Sequence, residues 1–519
     1  MLAGGKWLVL LSAAFVALAS VNVAVQRRTD AALPEFHSNI AKRATSLGLL
    51  NMQSFYEVVL SIGTPPQDIA FTLDTGSSDL WVMSSSNPYC STSDPNAPNC
   101  SSNFVYNYNA SSTFEMNRTA HFTIVYGDTT FADGFYAHDT IRLGNLTATN
   151  AMFALALESN STEAVFGIGP VYGEVYATYL PQGGTPSPTY ANIPAQLKAQ
   201  GQIQRIAYSI WLNDPYAGQG SLLMGGVDHD KYTGDLSIVP LISGSDNFTF
   251  PRHPFIMLHG VSAYKGSEAG RVAEMSVPVL LDSGTSLVYL PSSLVDSIAK
   301  ATDGKYNETL GTYTALCSEI PLDGFIFNFS GTPIKFPLDQ VYAPLIDDNN
   351  NIVTDSHGKI LCQLQVIADE PPWILGDNFL QGLYAAFDYE SFQAGLGQAI
   401  FNATDSNIEE IVTGIPGSSA ELYSATSSQN VTTFELDLTQ ATSSQTTLDS
   451  SASSETSQSS SVETTAQGGT LTPTTMGSAL PTGTLLTAGG TASRSTHKND
   501  AIIPGASLLA LVAAVMCVL

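Results

Sequence analysis

Two aspartates set the chemical problem. Asp74 lies in FTLDTGSSDLWV (71–82), where an apolar run delivers it into a Thr75-Gly76-Ser77 turn and a second apolar run leads away. Asp282 lies in VLLDSGTSLVYL (279–290) in the same frame, followed by Ser283, Gly284 and Thr285. At average residue usage a D-[ST]-G triplet is expected on the order of a few tenths of a time in a chain this long. Two of them, each inside an apolar strand pattern, mark a repeated device. An apolar-apolar-Gly element follows each one: VFGIG places Gly167 93 residues after Asp74, and WILGD places Gly376 94 residues after Asp282. One fold unit used twice would bring two carboxylates together where two similar halves meet. Facing carboxylates cannot both ionise easily, so one keeps a proton while the other stays charged. That pair can act as general acid and general base on a shared water.

On DTGSSDLWV, the VYGD stretch at 125–128, DSGTSLVYLP and WILGDNFL, the sequence resembles the pepsin family of aspartic proteases. Its two ends make it similar to the fungal, GPI-anchored yapsin branch. The resemblance covers residues 55–402 and implies an all-β, bilobal pepsin-like fold, two similar β-lobes with the active-site cleft between them. It implies that Asp74 and Asp282 are catalytic, with neither metal nor cofactor. Ser77 and Thr285 would hydrogen-bond the carboxylates from outside, while Thr75 and Ser283 would lock the two turns together. Gly76 and Gly284 permit turns that a side chain would obstruct. Tyr126 and Gly127 resemble the tip of the flap hairpin, with Tyr126 hydrogen-bonded to Trp81, and Asp128 would reach the pocket beside the cut and favour Lys or Arg there. Four cysteines leave the pairing open in principle; one bridge per lobe, Cys90–Cys100 and Cys317–Cys362, agrees with the spacing and with the family pattern.

The elements that must hold these residues read as short strands. FYEVVLSIG, TPPQ and DIAFTLDTG alternate apolar runs with turn residues, and this pattern continues through the globular part. Helices are few: 193–200, with Asn192 to cap and Gly201 to end it, and 293–301. The spacing divides the chain into an N-terminal lobe at 44–235, with the first Asp and the flap, and a C-terminal lobe at 236–412. Phe379, Tyr384 and Phe387 read as core of the second lobe.

The ends carry processing signals. Residues 1–19 form a signal peptide with a short apolar run and a small-x-small ending. Residues 20–43 read as a pro-segment cut by a kexin-like protease after Lys42-Arg43, with Arg27-Arg28 as the competing site. Beyond Ile411 the composition turns to Ser and Thr, so 413–490 reads as a disordered, glycosylated stalk. Residues 491–519 read as a GPI-attachment signal, with Gly489, Gly490 and Asn499 as the attachment choices. Cys517 leaves with that tail, and the many Asn-x-Ser/Thr sequons fit an export route.

Charge narrows the partners. Lys plus Arg number 19 against 46 Asp plus Glu, a net charge of −27. Nucleic acid is excluded as a partner, because phosphate binding needs the opposite sign; basic peptides are drawn instead. No H-E-x-x-H or paired histidine spacing supports a zinc site, and no G-x-S-x-G supports a serine hydrolase. The expectation is a monomeric, cell-surface aspartic endopeptidase acting on wall or secreted proteins near basic residues. The competing reading is a catalytically silent, pepsin-like wall or adhesion glycoprotein.

Overall fold

A computed structural model of the chain describes residues 21–28, 55–90, 98, 100–126, 130–175, 190–217, 219–244, 250–347, 351–419 and 432–433. The expected signal peptide, most of the stalk and the attachment signal lie outside the described residues, as do Gly127 and Asp128.

The first half of the chain forms β1 (Val21–Arg28), β2 (Phe55–Ile62), β3 (Gln67–Asp74), β4 (Leu80–Ser84), β5 (Val105–Tyr106), β6 (Glu115–Val125), β7 (Phe131–Leu143), β8 (Leu146–Ser159) and β9 (Ala164–Gly167). Helix α1 (Ile193–Ala199) follows, then β10 (Ala207–Trp211), β11 (Gln219–Met224), β12 (Gly226–Asp228) and β13 (Tyr232–Pro240). The second half opens with β14 (Phe255–Lys265), β15 (Glu268–Leu281), β16 (Val288–Leu290) and α2 (Ser292–Ala301). It continues through β17 (Lys305–Asn307), β18 (Thr312–Leu316), β19 (Gly324–Phe329), β20 (Thr332–Pro337), α3 (Leu338–Val341), β21 (Tyr342–Pro344), β22 (Leu361–Leu364) and β23 (Val366–Ala368). Strand β24 (Trp373–Leu375), α4 (Asp377–Leu380), β25 (Leu383–Asp388), β26 (Gln393–Ala399), β27 (Ile408–Glu410) and β28 (Ser418–Ser419) complete it.

Alternation decides which faces are covered. In β2 half-buried and buried residues alternate along the whole strand, the period of a sheet with one face on a core. One large sheet runs β28-β13-β26-β25-β10-β11-β1-β2-β3-β9-β4-β8-β7-β6, and a second runs β20-β19-β14-β15-β24-β16-β23. Both expected helices are present. Asn192 accepts from the Ala195 amide at the start of α1, and Gly201, at φ +69°, ends it in the left-handed region that glycine tolerates.

The repeat read from the sequence is built as the same local device in each half. Strand β3 pairs in parallel with β9, so that Asp74 stands opposite Gly167. Strand β15 pairs in parallel with β24, with Leu281 opposite Leu375, one residue before Asp282 and Gly376 respectively. Both glycines are sterically required. A Cβ on Gly167 would lie 2.6 Å from the Asp79 amide nitrogen, and one on Gly376 would lie 2.2 Å from the Leu287 carbonyl. Asp79 and Leu287 stand at the same step, five residues past Asp74 and Asp282.

Two expectations need correction. Tyr384 and Phe387 are buried as expected, but not within the second lobe alone. They lie on β25, which pairs with β10 inside the large sheet and so joins the halves. Phe379 packs against Phe327, Phe329 and Phe336, while Phe387 lies beside Tyr208 and Tyr389. Periodicity reports burial, not which sheet receives the strand. The folded chain also runs past the expected boundary at 412. After the last pairing inside it, β27 with β12, Ile415 is buried and β28 adds to the edge at β13. Thr432–Thr433 pairs briefly with β15.

Candidate active site

Each aspartate is held by its own turn. Asp74 Oδ1 accepts from the amides of Gly76 (2.7 Å) and Ser77 (3.1 Å), and its Oδ2 accepts from the Ser77 hydroxyl. Asp282 Oδ1 accepts from the Gly284 amide (2.8 Å), and its Oδ2 from the Thr285 hydroxyl (2.7 Å). Ser77 and Thr285 therefore orient the carboxylates from outside, as the resemblance implied. Thr75 and Ser283 lock the turns across the halves. Thr75 Oγ1 donates to the Leu281 carbonyl (2.8 Å) and accepts from the Ser283 amide (3.0 Å). Ser283 Oγ donates to the Leu73 carbonyl (2.7 Å) and accepts from the Thr75 amide (3.2 Å).

The glycines bring the carboxylates together. A Cβ on Gly76 would lie 2.6 Å from Asp282 Cγ, and one on Gly284 would lie 2.8 Å from Asp74 Cγ. Each turn thus presses against the other half's carboxylate. Asp74 is 3% exposed and Asp282 is fully buried. Burial first, then the charge of Asp74, push the Asp282 carboxyl well above the usual carboxylate range.

Tyr126 stands at the end of β6, and its hydroxyl accepts from Trp81 Nε1 at 2.7 Å. This ties the tip end of the hairpin formed by β6 and β7 to β4. The cysteines form Cys90–Cys100 and Cys317–Cys362, one bridge in each half. Among the described residues no His, Cys, Asp and Glu group is arranged to hold a metal ion.

The pattern of the eukaryotic aspartyl protease family matches residues 55–399. The chain belongs to that family. The protease is 36% identical to aspartic proteinase yapsin-3 of Saccharomyces cerevisiae over 372 residues, covering 71% of this chain and 70% of the relative. It is 32% identical to aspartic proteinase 3 of the same yeast, covering 71% and 74% of the two chains. The solved aspartic proteinase of Irpex lacteus shares the fold, with a TM-score of 0.53 and 20% identity over 75% of this chain and all of that one.

Three groups around the protease's dyad were not singled out from the sequence. Asp79 is buried and takes three hydrogen bonds, from the Val175 amide (2.7 Å) and the Tyr136 (2.9 Å) and Tyr190 (3.0 Å) hydroxyls. It lies inside DTGSSDLWV, yet only the fold reveals its partners. Buried Glu174 beside it accepts from the Tyr190 amide (3.1 Å). His253, just before β14, reaches across to the catalytic turn with Nδ1 2.8 Å from the Gly76 carbonyl. That contact makes Nδ1 the donor, and burial lowers the imidazole pKa. A lone histidine far along the chain carries no sequence signal for such a contact.

Proposed function

We propose that this aspartic endopeptidase is a secreted, surface-tethered enzyme that cuts wall or exported proteins beside Lys or Arg. The observation that carries the catalytic part is the pair of cross-braced carboxylates, one from each half, meeting at a buried interface. One proton shared between facing carboxylates is the known behaviour of aspartic-protease dyads. In this chain Asp74 takes three donors and Asp282 two. The better-solvated carboxylate is the better anion, so Asp74 is the base and Asp282 keeps the proton. Asp74 takes a proton from water as that water attacks the peptide carbonyl, while Asp282 donates to the carbonyl oxygen. The proton gained by Asp74 passes to the leaving nitrogen as the C–N bond breaks, one hydroxyl proton of the collapsing gem-diol returns to Asp282, and the dyad is back in its starting state.

The preference for basic residues is supported by the acidic chain, at −27 net charge, whose field raises the local concentration of cationic peptides. Asp128, the residue first assigned to this role, lies outside the described residues. The reading of 20–43 as a pro-segment is supported by the backbone of β1, which pairs with β11 and β2 inside the large sheet. Arg27 and Arg28 pair there with Tyr56 and Phe55. A processing protease needs an extended, unpaired chain, so Lys42-Arg43 is the better cut site. The Ser/Thr-rich stretch and apolar tail carry the proposal of a GPI tether on the outer membrane face.

The test is digestion of a diverse peptide library by the secreted, processed protein across acidic to neutral pH, beside Asp282→Asn. Acid-favoured cutting next to Lys or Arg, reduced on the order of 10³-fold or more in the variant, is expected. A folded, processed sample that cuts nothing would leave the silent wall-protein reading in its place.

A further inference from the structure

The sheet face that carries Asp74 also carries an acid that the dyad chemistry does not use. Along β3, Phe71 and Leu73 point into the main core, so Ala70, Thr72 and Asp74 share the opposite face. On β9, Ala164 and Phe166 enter that same core, which puts Glu163, at the foot of the strand, and Val165 on the Asp74 side. Trp81 of β4 lies opposite Val165 and holds Tyr126. Strands β3, β9 and β4 are interior to the sheet, yet Ala70, Glu163 and Val165 are only half-buried. Solvent therefore reaches part of the face that also carries Trp81, the partner of Tyr126.

Glu163 is anchored on that face. Its Oε2 accepts from the Thr72 hydroxyl at 2.5 Å, and its backbone is set by Ser161, whose hydroxyl meets both the Glu163 amide and carbonyl. Thr72 and Asp74 are two residues apart on one strand face, a separation of about 7 Å. The carboxylate therefore stands within a side chain's reach of the scissile bond. Around it lie Ala70, Val165 and Trp81, an apolar surface. A carboxylate at the end of an apolar track matches Lys and Arg, which lay their methylene stems on apolar surface and present the charge at the tip.

We propose that Glu163, oriented by Thr72, is the residue that selects Lys or Arg beside the scissile bond. This rests on the reading of the chain as an endopeptidase with a basic preference, and it names the group responsible. An ammonium or guanidinium placed there pairs with a fixed carboxylate in a cleft that substrate closes to water.

The experiment compares kcat/KM for two peptides that differ only in Arg or norleucine beside the cut. Wild-type enzyme is measured against Glu163→Gln and Glu163→Lys. Glutamine keeps an acceptor for Thr72, so that face stays intact while the charge is removed. The Arg-to-norleucine ratio is expected to exceed one in the wild type and to fall about tenfold in Glu163→Gln. In Glu163→Lys it should fall below one, with a matched Glu peptide gaining. If the wild type favours Arg and Glu163→Gln keeps that ratio within twofold, the basic preference stands and its assignment to Glu163 is overturned. If the wild-type ratio is at or below one, the basic preference itself falls, and Glu163 with it.

Discussion

Replacing Glu174 by Gln should make the enzyme more stable at neutral pH while changing little in acid. Glu174 is fully buried, and only its Oε2 has a hydrogen-bond partner, the Tyr190 amide; Oε1 has none among the described residues. Burial, and then the nearby Asp79 charge, push its carboxyl up to about 10 from an ordinary value of 4.5. Asp79 itself is raised by burial, and the Tyr136 and Tyr190 hydroxyls that face it are neutral donors. The sign follows from proton counting. Between the two values the folded protein holds a proton that the unfolded chain has lost, so stability is full below the lower value and falls as pH rises toward the upper one.

Each pH unit in that window removes about 1.4 kcal/mol. Going from the ordinary carboxylate value to neutrality therefore removes roughly 3 kcal/mol through this one group. That is a large share of a typical domain's stability. In Glu174→Gln the slope from this site disappears, because glutamine is neutral in both states and still offers an oxygen to the Tyr190 amide. The slope from Asp282, also raised by burial, remains in both proteins, so the difference between them isolates Glu174. The assay is urea unfolding of the processed enzyme at about pH 4 and pH 7. The transition that reports the half containing Glu174 is the informative one, since two lobes need not unfold together. Midpoints that coincide at the lower pH and separate in favour of the variant at the higher one are expected. Equal pH slopes in the two proteins would refute the reasoning, because the decline would then not come from a proton that folded Glu174 keeps and the unfolded chain loses.

Gly284→Ala should lower kcat at least tenfold with little effect on folding. Its Cβ would sit 2.8 Å from Asp74 Cγ and must displace the carboxylate, and small misplacements are costly at a reacting centre. Gly414→Ala, which meets nothing within 4 Å, is the matched control, and steady-state kinetics on one peptide decides. Lys231→Met should lower the denaturation midpoint by the equivalent of about 1–3 kcal/mol. The buried Nζ donates to the carbonyls of Ala403 (2.7 Å) and Asp405 (2.9 Å) and lies 4.5 Å from the Trp211 ring centroid. An unchanged midpoint would mean that the segment after β26 is not held by this lysine.

What could be read in advance was whatever the chain writes locally. The two D-[ST]-G turns, their hydroxyls three residues on, and Gly167 and Gly376 each express a constraint satisfied within a few residues or by one parallel pairing. Asn192 and Gly201 gave the bounds of α1 for the same reason. Strand β1 left a local trace as well, in the alternating Val21, Val23 and Val25, but its basic end read as a competing processing site in the pro-segment. Glu163, Glu174 and Asp79 each stand as a single acid with no local pattern to set it apart. What distinguishes them is the company they keep: Thr72 across a parallel pairing, and Tyr136 and Tyr190 from 57 and 111 residues beyond Asp79. The segment after Phe401 is polar, and its anchors Asp228 and Lys231 stand some 170 residues earlier. No period or turn signal records a contact of that span.

The same distinction separates the reaction from its specificity. The dyad is a property of an interface: each carboxylate is fixed by its own turn, but its distance from the other depends on Thr75, Ser283 and the two glycines that cross between halves. That interface is further fastened by the β10–β25 pairing, by Arg205 on the buried Asp388 at 2.7 Å, and by His253 on the Gly76 carbonyl. A buried, over-determined centre of this kind tolerates few substitutions, because every one of them moves a carboxylate. Glu163 stands about two residues of strand away on a half-buried part of the face, oriented by the Thr72 hydroxyl. Selectivity can therefore change there without touching the acid pair. If Glu163 were instead as tightly coupled to the dyad as Gly284 is, Glu163→Gln would shift the pH profile of kcat along with the substrate preference, and measuring both on the same variant separates the two arrangements.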